Sequence, residues 1–279
     1  MEAARTNDEQ AALWNGVSGQ SWVEAQGVLD RMFMPFESLL VELSANASPE
    51  RVLDVGCGTG STTLAIQKKL GAQCQCLGID ISDPMLVRAR ARAQEAGSPA
   101  SFLRADAEQY AFEPGSFDLI VSRFGVMFFA DSVRAFTNLK LAARPGARLC
   151  VIAWRSAAEN PFMTAAERAV ASMLPSLPAR EPGAPGQFRF ADSSLVQGIL
   201  EQSAWSNIDI RALDLECTFP EQELLLYATR VGPLGRVLPT LDEPGRARIL
   251  AAARPAFEPY VQGATVRFRA ACWKITARA

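Results

Sequence analysis

Between Arg51 and Trp154 short apolar runs alternate with segments of helical period. The runs are "RVLDVG", "CQCLGIDI", "ASFLRAD", "GSFDLIVSRFG" and "RPGARLCVIAW"; among them stand "STTLAIQKKLG", "SDPMLVRARARAQEAG" and "SVRAFTNLKLAA". Short apolar runs bounded by glycine read as buried strands. In the second helical segment Met85, Ala89 and Ala93 share one face and Arg88 and Arg92 another, an amphipathic pattern. Asp83 is placed to cap that helix, Pro84 to begin it and Gly97 to end it. Strand, helix and strand at these intervals imply parallel pairing through right-handed crossovers. The expected fold is therefore α/β, with a doubly wound, mostly parallel sheet.

The flanking regions read differently. The chain up to about Ala47 is helical, broken near Gly16 and Gly19, and Asn46 to Pro49 form a linker. After Trp154 the rhythm changes. Residues about 156–190 hold a helix and the Pro/Gly-rich "LPSLPAREPGAPGQ", and residues about 219–263 read as further helices. Between and after these, "DSSLVQGILEQSA", "NIDIRALDLECTF" and "ATVRFRAACWKITA" resume the core pattern as a helix and two alternating strands. The expected organisation is a helical lid over 1–46, a ligand-binding core over 47–155, and the remaining core over 156–279 with cap insertions near 156–190 and 219–263. In an open α/β sheet the ligand lies beyond the carboxyl ends of the strands, where inserted helices roof a pocket.

Several chemistries are excluded. The chain of 279 residues contains no histidine. This removes Ser-His-Asp and Cys-His arrangements, the usual zinc and non-haem iron ligand sets, and the commonest general base. Its six cysteines, Cys57, Cys74, Cys76, Cys150, Cys217 and Cys272, include no C-x-x-C pair, so metal and redox spacing is absent. A net charge of −2 leaves no basic footprint for nucleic acid. No apolar run reaches the ~18 residues that span a bilayer, and "MEAARTNDEQ" is too acidic and polar for a secretion signal. A reduced, cytoplasmic protein with no metal, nucleic-acid or membrane partner is expected.

The candidate site begins at "RVLDVGCGTGS". Gly56, Gly58 and Gly60 give G-x-G-x-G, and the third glycine comes one residue too early for the dinucleotide fingerprint. No Gly-Lys-Ser/Thr follows, so this is not a P-loop. Asp54 lies inside the strand. There it is a poor neighbour for a pyrophosphate and a good one for an ammonium or sulfonium, or else a structural acid that supports the turn. Asp80, at the end of the second strand, is placed to accept from both ribose hydroxyls. Asp106, after the third, can accept from an adenine amino group beside the N–H of Ala107. Three strand-end acids in consecutive units fit an adenosine with a cationic tail.

These stretches resemble the class I S-adenosylmethionine-dependent methyltransferases, in particular a bacterial branch acting on small molecules. "VLDVGCGTG", "GIDISDPML", "ADAEQYAFEPGSFDLIVSRFGVMFF" and "LKLAARPGARLCVIAW" carry the likeness from Arg51 to about Trp154, and "WNGVSGQSW" and "AENPF" extend it. The resemblance implies a Rossmann-like core with S-adenosylmethionine as cofactor. Gly56, Cys57, Gly58 and Gly60 would then shape the loop around the methionine part with Asp54 in support, and Met85 would stand beside it. Asp80 and Ile81 would hold the ribose, and Asp106 and Ala107 the adenine. Ser122, Arg123 and Phe124 would face the methionine and the substrate. Trp14, Gln20 and Trp22 would belong to the lid, or the two tryptophans to a packed helix hairpin.

The implied reaction is in-line methyl transfer to a small-molecule acceptor. In it a general base is needed only for a protonated nucleophile, with Tyr227 and Arg123 the candidate catalytic residues. Arg123 and Arg155 could bind an acidic substrate or form surface ion pairs. Phe128, Trp154, Phe162, Phe188 and Phe190 are either pocket lining or core. Other readings are an enzyme that cyclises the aminobutyryl arm of the cofactor, releasing methylthioadenosine, and a non-catalytic binding protein on the same fold.

Overall fold

The structure, a computed structural model, describes residues 7–174 and 183–279; most of the expected Pro/Gly-rich loop, 175–182, lies outside them. Three helices open the chain: α1 (Asn7–Asn15), α2 (Val17–Glu24) and α3 (Gln26–Ala47). The alternating core follows as β1 (Arg51–Val55), α4 (Ser61–Leu70), β2 (Gln75–Asp80), α5 (Asp83–Glu95), β3 (Ser101–Arg104), β4 (Phe117–Arg123), α6 (Ser132–Ala142) and β5 (Ala143–Trp154). Then come α7 (Ala165–Val170), α8 (Ser193–Gln202), β6 (Ser206–Pro220), α9 (Leu224–Arg230), α10 (Gly232–Val237), α11 (Glu243–Ala253), β7 (Val261–Gln262) and β8 (Thr265–Arg278).

Among the described residues one eight-stranded sheet runs β3-β2-β1-β4-β5-β8-β6, with β7 paired to β8. The five strands from β3 to β5 are parallel; β8 runs antiparallel between β5 and β6. Strands covered on both faces need apolar residues at every position. Accordingly Val52, Leu53, Val55, Leu119, Ile120 and Val121 are all buried. Strand order reverses between β1 and β4, so the loops after these two strands part and leave a crevice beyond their carboxyl ends.

The helix α3 buries Val28, Leu29, Met32, Phe33, Phe36 and Leu40 along one face, the stripe spacing of a helix laid on a core. Beyond the sheet, Val170 and Leu174 pack with Leu234, Leu238, Ile249 and Ala253. The later helical insertions thus build a small apolar cluster of their own. No helix among the described residues is long and apolar enough to cross a membrane.

Three local expectations are corrected. The first helical break falls at Gly16, but the second falls at Ala25, and Gly19 lies inside α2. A Cβ on Gly19 would stand 2.0 Å from the Trp14 carbonyl oxygen and 2.8 Å from Ser82 Oγ, so this glycine serves close packing. The cap of α5 is Ser82 and not Asp83, which is the first helical residue. Phe190 is core: it is fully buried against Phe136.

Candidate active site

After β1 the chain turns through Gly56, Gly58 and Gly60, with φ of +67°, +54° and +81°. This is left-handed backbone that glycine adopts without a Cβ penalty. The three differ in surroundings. A Cβ on Gly56 would lie 2.6 Å from Gly125 Cα, so the turn after β1 touches the loop after β4 backbone to backbone. A Cβ on Gly60 would meet Phe102 at 2.8 Å and Ala89 at 3.0 Å, which makes Gly60 a packing residue behind the cavity. At Gly58 the nearest atom would be Met85 Sδ at 3.7 Å. Gly56, Cys57, Gly58, Ile81 and Met85 all line the cavity beyond the strands. The turn is tied to β2 by the N–H groups of Gly56 and Cys57, which donate to the Ile79 carbonyl at 2.9 and 3.1 Å.

Two of the acids that line the cavity, Asp80 and Asp106, occupy different settings. Asp80 accepts the Gly58 N–H on one oxygen and the Ser82 N–H on the other, each at 2.8 Å. A carboxylate has about four acceptor positions, so one remains on each oxygen. Burial pushes the Asp80 carboxyl above its ordinary range, opposed by the N–H bonds from Ser82 and Gly58. Asp106 lies two residues beyond β3. Its Oδ1 accepts the Glu108 N–H at 2.9 Å, and its Oδ2 accepts the side-chain amides of Asn7 and Gln109 at 2.8 and 3.0 Å. Ala107 lines the cavity beside it.

Of the two places open to Asp54, beside the ligand or in support of the turn, it takes the second and does not reach the cavity. It is buried behind the turn and accepts the Thr63 hydroxyl at 2.6 Å. Burial raises its pKa to about 6, against lowering by the Thr63 bond and the Arg123 charge. Ser122 is likewise set behind the wall. Its hydroxyl donates to the Val55 carbonyl at 2.7 Å and accepts the Gly125 N–H at 3.2 Å, joining the two loops.

Arg123 and Phe124 do line the cavity. The Arg123 guanidinium carbon lies 5.8 Å from the centre of the Phe33 ring, and its Nη1 is buried with no hydrogen-bond partner among the described residues. Phe124 has φ +63°, rare for a bulky residue, and its ring stacks on Trp154 at 4.5 Å.

Residues of α1 and α2 cover this cavity. Trp14 and Trp22 line it, as do Asn7 and Gln10, whose side-chain amide is buried without a partner among the described residues. Gln20 is exposed and lines neither cavity, because the buried side of α2 holds Gly19 and Ser21. The cover is fastened through Asn15, which donates to the Ile81 carbonyl at 3.0 Å and accepts the Asp83 N–H at 2.9 Å. The Ser82 hydroxyl donates to the Trp14 carbonyl at 2.6 Å.

A second cavity of about 430 Å³ adjoins the first, within the usual size of small-molecule sites. Trp14, Trp22, Phe33, Phe124 and Phe128 line both. On the far side stand Phe162, Met163, Phe188 and Tyr227, with Trp154 in the wall. The Tyr227 ring stacks on Phe162 at 5.3 Å, and its hydroxyl lies 3.7 Å from Met163 Sδ. Arg155 is absent from the lining: it pairs with Asp214 at 3.0 Å and with Glu159 at 2.5 Å.

Sequence reasoning missed Gly125, Asn7, Gln10 and Glu108. The signal for Gly125 was its place directly after a buried strand. Glu108 gave none: it is a buried acid that holds the N–H groups of Ala130 and Asp131 at 3.1 Å and pairs with Arg134.

Comparison with known proteins bears on this architecture. The profile of a family described as a methyltransferase domain matches residues 52–146. A demethylmenaquinone methyltransferase of Thermus thermophilus is 31% identical over 155 residues, which cover 56% of this chain and 70% of that one. The aklanonic acid methyltransferase DauC of a Streptomyces species is 36% identical over 124 residues, covering 43% and 56%. Among solved structures the YcgJ protein of Bacillus subtilis superposes with a TM-score of 0.56 at 17% identity, over 86% of this chain and 98% of that one, which speaks for the fold. A glycine turn backed by strand-end acids, on this strand order and with these relatives, places the chain in the class I S-adenosylmethionine-dependent methyltransferase family.

Proposed function

We propose that the smaller cavity holds S-adenosylmethionine, that the larger holds a small apolar, ring-bearing acceptor, and that the methyl group passes where the two meet. The observation that carries this reading is the shared wall: Trp14, Trp22, Phe33, Phe124 and Phe128 line both cavities.

The residues present fit the cofactor. Asp80 keeps one acceptor position on each oxygen, suited to a vicinal diol. The left-handed backbone at Gly58, with only the end of the Met85 side chain near it at 3.7 Å, lets a ligand approach the main chain. Arg123 Nη1 and the Gln10 amide, buried and unpartnered among the described residues, are polar groups whose burial is costly until something pairs with them. We assign Asp80 and Ile81 to the ribose, Asp106 and Ala107 to the adenine, and Arg123, Gln10 and the turn at Gly56–Gly58 to the methionine end. Asp54, Ser122 and Gly60 act one layer behind, fixing the turn.

Bound S-adenosylmethionine supplies a methyl group activated by its sulfonium. The chain's task is then chiefly placement, which can contribute much of the rate. Phe124 and Phe128 fix the line between the cavities, and Trp14 and Trp22 close it from above. Where the acceptor's nucleophile carries a proton, Tyr227 is placed to hydrogen-bond it; no histidine competes for that role. In this reading residues 1–46 are the lid, 47–155 the cofactor core, and the helices inserted in 156–279 the acceptor cap.

The test is product analysis. Incubation with S-adenosylmethionine and an aromatic acceptor panel is expected to release adenosylhomocysteine only in the presence of an acceptor. Release of methylthioadenosine without acceptor would replace transfer by cyclisation of the aminobutyryl arm. In calorimetry Asp80→Ala is expected to weaken cofactor binding at least tenfold, as loss of hydrogen bonds to a charged group does.

A further inference from the structure

The acceptor cavity is walled mainly by aromatic and aliphatic side chains, yet arginines also reach it. One of them, Arg230, is answered by Glu24 at 2.6 Å. Arg189 differs. It is half-buried and lines the cavity. Its Nε donates to Ser132 Oγ at 3.2 Å and its Nη1 donates to the Gly183 carbonyl. Both partners are neutral, and among the described residues no carboxylate forms an ion pair with it. Partial burial pulls its pKa down, opposed by the charge of Asp131, which attracts it beyond ion-pair distance.

A charge taken partly out of water without a paired partner carries part of the cost of a buried one. A guanidinium carries five donors in a rigid fork, and two here are spent on orienting it. The rest match a carboxylate, which arginine binds in two parallel hydrogen bonds. Arg189 also lines an open groove beside Asp131 and Ser132. An acid at this wall therefore stays in reach of water and keeps its charge.

We propose that Arg189 is the anion-recognising residue of the acceptor cavity, and that the acceptor is an apolar ring compound bearing a carboxylate or equivalent acidic group. This rests on the assignment of the larger cavity to the acceptor. It also changes which arginine serves an acidic substrate. Arg155 is held by Asp214 and Glu159, and Arg123 belongs to the cofactor side.

Calorimetry on the full chain saturated with S-adenosylhomocysteine tests this, with 3-hydroxy-2-naphthoate and its uncharged methyl ester as probes. The wild type is expected to bind the acid about tenfold or more tightly than the ester, the scale of one charge-assisted hydrogen bond. Arg189→Gln should lose that preference while its affinity for the ester stays unchanged, which also shows the cavity to be folded. Arg189→Lys keeps the charge but not the fork and should retain a few-fold preference. Equal binding of acid and ester by the wild type, or a preference that survives Arg189→Gln, overturns the role of Arg189 and leaves the acceptor cavity standing. Binding of neither probe overturns the acceptor assignment itself and this inference with it.

Discussion

Gly56 and Gly58 sit two residues apart in one turn, both left-handed, yet their neighbours set different costs for a methyl group. At Gly56 an added Cβ runs into the backbone of Gly125 at 2.6 Å, and neither backbone can retreat without moving a strand end. At Gly58 only the end of Met85 is near, at 3.7 Å, so the cost is mostly conformational. Gly56→Ala should destabilise by about 3 kcal/mol and abolish cofactor binding; Gly58→Ala should cost about 1 kcal/mol. Urea unfolding and calorimetry on the two variants check the order, and equal losses would contradict it. The spacing of the glycines was legible in the sequence, as were Asp80 and Asp106. What each glycine touches was not, because Gly125 and Phe102 are distant in the chain and meet the turn only through the sheet order. Asp54 was legible as an acid with two places open to it, beside the ligand or behind the turn, because strand periodicity does not say which end of a buried strand opens onto a cavity. Phe190 and Phe188 read alike for the same reason, and only packing separates core from lining.

The alternating elements from β1 to β5 were readable because each is regular and its turn chemistry agrees with its pattern. The N-terminal helices were readable as helices, but not where they divide, since Gly19 is demanded by contact with Trp14 and Ser82 and not by a turn. How α1 is fastened was beyond the sequence. Asn15 both donates to Ile81 and accepts from Asp83, bridging the two sides of the β2–α5 junction. Each such bond contributes about 1 kcal/mol. Asn15→Ala should therefore lower the melting temperature by a few degrees and speed cofactor dissociation several-fold. Stopped-flow tryptophan fluorescence reads this through Trp14 and Trp22. An unchanged dissociation rate would mean that α1 does not cover the ligand.

At the scale of the molecule, the absence of histidine makes one titration visible. Asp54 is held at about 6 in the fold against an ordinary 3.8. The folded protein keeps a proton there that the unfolded chain releases. The resulting stabilisation is full below about pH 4 and lost as pH rises through 6. Between pH 5 and pH 8 the wild type should lose about 1 kcal/mol relative to Asp54→Asn, which cannot ionise. No imidazole overlies that window. Parallel losses in both proteins would show that the proton sits elsewhere.

The antiparallel β8 has a consequence for how the chain comes off the ribosome. It lies between β5 and β6, yet it is made after α9, α10 and α11. At the usual pace of synthesis, roughly 5–20 residues per second, β6 waits several seconds with no neighbour to pair with, and β5 waits longer with one edge bare. Bare edges of that kind recruit other chains. The nascent protein is thus most vulnerable to aggregation just before β8 arrives, and slower translation of the stretch from Glu221 to Arg278 would prolong that exposure.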